Sequence, residues 1–286
     1  MHVIASSAQL SWNVVDDVRQ MFSFRFMVNA YRAGTIAAVV AAVFGWFMVL
    51  RRQTFAGHTL AVVGFPGAAA AVLAGVSVQY GLLVFCVVTA LAIAAIPSAS
   101  GIGYGEETAL IGTLQAFALA LGYLFHSLHG GSLDGVTSLL FGTLFGVTST
   151  QVVILLVVGA TAMVALTVGA RPLLFASIDA DVAAARGVPT RGLAIGFLVL
   201  LGVAAAAVSQ ITGSLLVFAL LVLPPATAQR LSPRPSVSLP ASVAIGVVVT
   251  WLGLAAAFFS PYPSGFWITT IAFAAYVVAV LASGSR

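Results

Sequence analysis

The feature that most constrains this chain is a succession of apolar runs, each close to the length of a membrane-crossing helix and nearly free of charge. A helix needs about 20 residues to cross a hydrocarbon core of ~30 Å, and hydrocarbon accepts only helices or closed barrels because it offers the backbone no hydrogen-bond partner. Nine runs can be marked off, at 27–50, 55–75, 78–97, 106–125, 150–170, 193–209, 212–229, 237–258 and 265–283. The expected fold is an all-α polytopic membrane protein of about nine transmembrane helices, eight to ten being compatible with the pattern. Composition agrees: 61% of the 286 residues are hydrophobic and 6% are charged, against about 25% charged in soluble domains. No Gly/Ser-rich linker or charge run divides the chain, so it reads as one membrane domain over 27–286 behind an N-terminal segment, 1–26. No nucleic-acid partner is expected.

The first twenty residues lack a basic start followed by an apolar core and a small-residue cleavage site, so the first span is expected to act as the insertion signal. Orientation follows from Arg, the only basic side chain besides His in a sequence without Lys. Cytoplasmic connections are enriched in basic residues. With nine spans and the N-terminus outside, Arg51, Arg52, Arg171, Arg186, Arg191, Arg230, Arg234 and Arg286 all fall inside, and the outer connections, including 127–149, hold no Arg. Arg19, Arg25 and Arg32 oppose this, unless they mark an amphipathic segment lying on the membrane surface.

Two spans carry signs of interruption. The second contains Gly57, Gly64 and the triplet Phe65-Pro66-Gly67, which predict a kinked or unwound middle of the kind that lines substrate paths, although Gly and Pro are also common in spans that carry nothing. The seventh is interrupted by Pro224 and Pro225 and reads either as a span or as a broken or re-entrant segment. In the second span Gly67, Ala71 and Gly75 recur at every fourth position, a stripe that lets helix backbones approach closely. In the outer connection, 139–142 is too short to span and reads as a re-entrant piece over the outer mouth.

The interior of the chain holds one substantial polar segment, 171–191, RPLLFASIDADVAAARGVPTR. Asp179 can cap a short helix, Asp181 sits in its positive first turn, Arg186 sits in its negative last turn, and Gly187 and Pro189 stop it. A helix of about two turns falls well below the ~12 to 15 residues a free helix needs, so it should be stable only when docked. A contact with another protein and an ordinary ordered loop are the two readings of that stretch.

Titratable groups within spans are few, and such groups are costly enough in hydrocarbon to be candidate functional residues. His58 lies about one turn into the second span. There a neutral imidazole can ligate a divalent metal transiently, or it can hydrogen-bond a neighbouring helix. His126 and His129 stand three apart at the outer end of the fourth span with Asp134 following, a weak landing site for a metal or a solvated edge. Glu106 and Glu107 begin that span and complement the helix dipole. The lone Cys86 excludes a disulfide or a cysteine cluster and reads as packing. Catalytic readings fail. No Arg follows Glu106-Glu107 one turn on, Gly213-Ser214 has no visible His partner, and no phosphate-cradling G-x-x-x-x-G-K-[ST] occurs, so any ATP must be bound by another chain.

Four segments, in order, resemble the permease subunits of metal-type ABC importers, which bring zinc, manganese or iron into bacteria. They are 49–57 with Phe65-Pro66-Gly67; 106–112 followed by Leu140-Phe141-Gly142; 177–189; and 213–228, with Pro263-Ser264-Gly265 before the last span. The resemblance runs from about residue 27 to the end. It implies a type II importer bundle in the bacterial plasma membrane and a homodimer with the ion path at its interface. Two cytoplasmic ATPase subunits and an extracytoplasmic metal-binding protein are the partners it implies. It also implies that 177–189 is the coupling helix seated in the ATPase, with Ser177, Asp179, Asp181, Ala184, Arg186 and Gly187 as its residues.

One departure stands out against the family's Gly-Asp-x-x-Ser-His in the second span, whose Asp and His contribute to the metal path. Here those positions are His58, Ala61 and Val62. A nitrogen-only contact suits zinc better than manganese, which favours oxygen ligands, so zinc is the expected cargo with manganese or iron as alternatives. A metal chelate or another small ligand on the same scaffold is the second reading. A membrane scaffold or intramembrane enzyme without an ATPase partner is the third.

Overall fold

The computed structural model describes residues 13–96, 104–130 and 144–284. These form twelve α-helices: α1 Val14–Ser23, α2 Arg25–Leu50, α3 Thr54–Val62, α4 Gly64–Leu73, α5 Val78–Ala95, α6 Tyr104–His129, α7 Ser149–Ile178, α8 Ala180–Ala185, α9 Thr190–Thr212, α10 Ser214–Leu231, α11 Pro235–Phe258 and α12 Ser264–Gly284. Among the described residues nine spans are long and apolar enough to cross a membrane, α3 and α4 together making the second. The architecture is the expected all-helical bundle. α2 lies at its centre, packed against α7, α10 and α11, while α5 and α9 pack on each other and α4 fills the space between α5 and α6.

Lipid is as apolar as leucine, so close packing and a few polar contacts must hold these helices together. Glycines set where backbones touch. A Cβ on Gly81 of α5 would meet the Gly67 carbonyl and the Ala71 methyl of α4, and one on Gly67 would meet the Gly81 carbonyl. The Gly67–Ala71 part of the predicted stripe thus makes the α4–α5 contact, while Gly75, at φ 68°, belongs to the turn that ends α4. Polar side chains pin both ends of the bundle. At one end Asn29 of α2 donates to the Val147 carbonyl (3.2 Å) and Trp251 Nε1 donates to Thr35 Oγ1 (2.8 Å). At the other, Trp46 Nε1 donates to Ser238 Oγ (3.0 Å) and Gln229 Nε2 donates to the Trp46 carbonyl (2.9 Å).

Several boundaries differ from expectation for identifiable reasons. The fifth span does not stop at 170 but continues through Arg171 and Pro172 to Ile178. Pro172 removes only the donor to Val168, a surface residue close to the Arg-marked edge, and the helix carries on. Pro224 and Pro225 do not break the seventh span either: α10 is one helix. The Leu221 carbonyl, which Pro225 deprives of a donor, lies against Gly45 of α2, where a Cβ would collide with it. The second span does break, but at Val63, one residue before Gly64. Pro66 lacks the N–H that would reach back to Val62, and the nearby Leu60 carbonyl takes the Cys86 thiol at 3.4 Å. Gly57 and Gly67 are not breaks. Gly57 sits inside α3 with Met48 Sδ filling the space of its missing side chain, and Gly67 sits inside α4.

The N-terminal segment contains α1, which folds back on α2: Phe22 lies 5.0 Å from Tyr31 between ring centroids, and Asn13 caps the helix. The segment expected to re-enter at 139–142 falls outside the described residues.

The Gly67–Gly81 contact generates a prediction. Gly81→Ala should lower the thermal unfolding midpoint in detergent by the equivalent of roughly 1–3 kcal/mol, the usual cost of overpacking. Gly196→Ala in α9, where a Cβ meets nothing, should leave it unchanged or raise it by up to about 1 kcal/mol. Equal midpoints for both variants would refute the close-contact account.

Candidate functional site: a short exposed helix and a broken span

The polar segment forms α8, and its local chemistry is the one read from sequence. Asp179 is extended at φ −146°, and its carboxylate accepts from the Val182 N–H at 2.9 Å. Asp181 stands in the first turn. The far end closes as Gly187 N–H reaches the Ala184 carbonyl (2.9 Å) and Val188 N–H the Ala183 carbonyl (3.0 Å), with Gly187 at φ 79°, where L-residues are strained. The helix is shorter than the predicted 177–189, because Asp179 leaves helical geometry. Ser177 consequently belongs to the last turn of α7, where its hydroxyl donates to the Leu173 carbonyl at 2.5 Å.

Six residues capped at both ends bury a single side chain, that of Ala183. Asp179, Asp181, Ala184, Arg186 and Gly187 are exposed, as are two apolar side chains, Val182 (43%) and Ile178 (70%) at the end of α7. So short a helix needs partners to persist, and on this chain it rests on the adjoining ends of α7 and α9. Exposed Ile178 and Val182 flanked by charges can dock into a groove on another protein.

At the other candidate site, His58 of α3 is half-buried, its ring 4.5 Å from that of Phe218 on α10 in an edge-on arrangement and 6.3 Å from that of Phe55. Its Nδ1 is buried with no hydrogen-bond partner. The histidine therefore does not take the neighbouring-helix hydrogen bond of the structural reading through that nitrogen. Val62, one turn on, is buried. Next to His58, Thr59 Oγ1 donates to Gln115 Oε1 of α6 at 2.9 Å, joining the broken span to α6. His126 and His129 lie in the last turn of α6. Nε2 of His126 is buried without a partner and His129 is exposed, while Asp134 lies outside the described residues. Among the described residues no three of His, Cys, Asp and Glu converge as a metal-holding group. The described residues thus offer single donor groups rather than a closed cage.

The sequence gives no local sign of Arg51. It ends α2 between the two sites, donates from Nη1 to Ser177 Oγ at 3.1 Å and from Nε to Gln53 Oε1 at 3.2 Å, and lies 5.5 Å from the centre of the Phe197 ring. Ser177 is 126 residues away, so only the tertiary fold reveals the contact. Burial among neutral partners lowers the guanidinium's pKa from its ordinary value, although it keeps its proton at any working pH.

Comparison with known proteins bears on the family and the fold. The sequence model of the ABC 3 transport family matches residues 23–283. The Manganese transport system membrane protein MntC of Halalkalibacterium halodurans is 30% identical over 236 residues, covering 82% of this chain and 80% of that protein. The Chelated iron transport system membrane protein YfeC of Yersinia pestis is 28% identical over 252 residues, 88% of this chain and 84% of that protein. Among solved structures, PsaBC from Streptococcus pneumoniae in complex with Fab superposes with a TM-score of 0.82 at 26% identity, over 93% of this chain and 95% of that one.

The capping geometry of α8 can be measured directly. Asp179→Ala removes the acceptor of the Val182 amide and should cost about 1 kcal/mol of local stability, read as faster hydrogen exchange at 180–185 with unchanged exchange in the centre of α7. Exchange at 180–185 equal to that of the wild type would show that the cap does not hold the helix.

Proposed function

The chain belongs to the ABC 3 transport family, and on that premise we propose that it is the permease subunit of an ATP-driven importer of a divalent first-row metal ion. In this reading two copies enclose the path in a bacterial plasma membrane. ATPase subunits dock on the cytoplasmic side and a metal-binding protein delivers cargo outside. The chain performs no bond chemistry. The observation that carries the reading is α8: a helix capped at both ends, with Val182 and Ile178 exposed and only Ala183 buried, on the side where Arg residues collect. It is built to be held by a partner, and the sequence has no phosphate-binding loop of its own.

Asp179, Asp181, Ala184, Arg186 and Gly187 would form the docking element, with Ser177 behind it on α7. His58 would be the contact for passing cargo, with one copy contributed by each protomer. The break at Val63, where α3 gives way to α4, would let the two halves of the span tilt separately as the path opens to alternate sides. His126 and His129 would stand at the outer mouth.

The cargo is the less determined part. His58 alone favours zinc by its nitrogen donor, whereas the relatives are named for manganese and for chelated iron. We therefore read the cargo as a first-row divalent ion without singling out zinc. A chelated metal is the second reading, supported by the absence of a carboxylate beside His58 and by a relative named for a chelate.

Co-expression with its ATPase and reconstitution into liposomes tests the proposal. The wild-type complex should retain the ATPase through purification and take up manganese, iron or zinc only with ATP. His58→Ala should assemble normally but lose about tenfold in uptake, roughly 1.4 kcal/mol. Uptake of a chelate alone would favour the second reading; a purified chain that binds no ATPase and moves no metal would overturn both.

A further inference from the structure

We propose that Arg51 is a positioning residue that carries movement of the docking helix α8 to the span bearing His58. This rests on the transport reading above. The argument begins with what grips the guanidinium. Nη1 donates to Ser177 Oγ at 3.1 Å, and Ser177 lies two residues before Asp179, the cap of α8. Its Cζ lies over the Phe197 ring, 5.5 Å from the centroid, and Phe197 belongs to α9, the helix into which α8 feeds. One side chain thus touches both helices that flank α8. Cation–π and charge-assisted hydrogen bonds both strengthen where water is excluded.

The other end of the linkage is covalent and short. Arg51 N–H bonds the Phe47 carbonyl (2.9 Å), Arg52 N–H the Val49 carbonyl (3.0 Å) and Gln53 N–H the Met48 carbonyl (3.0 Å), so every amide of the turn from α2 to α3 is hydrogen-bonded. Arg52 takes a left-handed conformation at φ 57° to close it, which is strained for a non-glycine residue and retained only where the surroundings impose it. Nε of Arg51 also holds Gln53 at 3.2 Å, and the Gln53 carbonyl accepts from Gly57 N–H at 3.0 Å in the first turn of α3. Gly57 then receives Met48 Sδ against its bare Cα, locking α3 to the end of α2. His58 is the next residue. A displacement of α8 that draws Ser177 and Phe197 apart must therefore either break the Arg51 contacts or carry the start of α3 along. The partners that hold Arg51 among the described residues, Ser177, Gln53 and Phe197, are neutral, so a substitution can remove each contact one at a time.

Position between two sites does not by itself establish coupling; a double-mutant cycle does. The experiment uses the chain assembled with its ATPase in liposomes, reading manganese moved per ATP hydrolysed alongside the ATPase rate and the thermal midpoint. Arg51→Ala should lower metal moved per ATP by about tenfold, within the usual range of coupling between sites, while the ATPase rate stays within about twofold. Ser177→Ala should give a smaller fall, and the double variant no further loss beyond Arg51→Ala. Arg51→Lys keeps the charge but loses the planar fork and the stacking face, so it should fall between wild type and Arg51→Ala. A wild-type ratio in Arg51→Ala overturns the inference alone. Loss of transport and ATPase activity in equal proportion, with a lowered midpoint, overturns it in favour of a merely structural role. A wild-type complex that moves no metal overturns the transport reading instead.

Discussion

Hydrocarbon gives a freed backbone carbonyl nothing to bond with, at a cost of several kcal/mol for each group left unpaired, and the whole structure follows from how the chain meets that demand. Its spans are helical nearly throughout. Where Pro66 removes a donor, the span divides at Val63, and the Cys86 thiol reaches the Leu60 carbonyl close by. Where Pro225 removes one, a glycine on the facing helix brings backbone against the Leu221 carbonyl. At Pro225 the freed carbonyl thus lies against a neighbouring helix, and near Pro66 the Leu60 carbonyl does, whereas Pro172 frees that of the exposed Val168 near the edge of the bundle.

Side-chain hydrogen bonds tie both ends of the bundle. At one end Asn29 donates to Val147 and Ser149, and Trp251 donates to Thr35 and accepts from Tyr31. At the Arg-rich end, Trp46, Gln229 and Ser238 knit α2, α10 and α11, and Arg51 joins the α2–α3 turn to α7 and α9. The short helix α8 projects from this end with only Ala183 buried. Further along the second span, the half-buried ring of His58 stands against Phe218, and its Nδ1 has no hydrogen-bond partner among the described residues.

Much of this was legible in the sequence, and the exceptions share a cause. The nine spans could be read because membrane thickness fixes their length, and the Asp179 cap because capping is local. The end of the fifth span could not: Arg171 and Pro172 look like terminators, yet the helix passes both to Ile178. Gly57 and Gly67 read as breaks and proved to be contacts. A glycine in a helix serves either purpose, and only the facing Met48 or Gly81 decides which. Phe218 beside His58, and Ser177 and Phe197 beside Arg51, belong to helices distant in sequence, so no spacing rule reveals them.

The central claim is that α8 is the surface through which an ATPase drives this permease. The most direct measurement places a thiol there with Val182→Cys and, as a control, one in the last turn of α6 with Leu128→Cys, then treats the complex with its ATPase with a short thiol-to-amine cross-linker. Both positions are exposed, and the native Cys86 is fully buried. The account predicts an adduct between Val182→Cys and the ATPase whose yield changes with nucleotide, and none from Leu128→Cys. An ATPase that remains bound yet cross-links to neither position, or to Leu128→Cys alone, would contradict it.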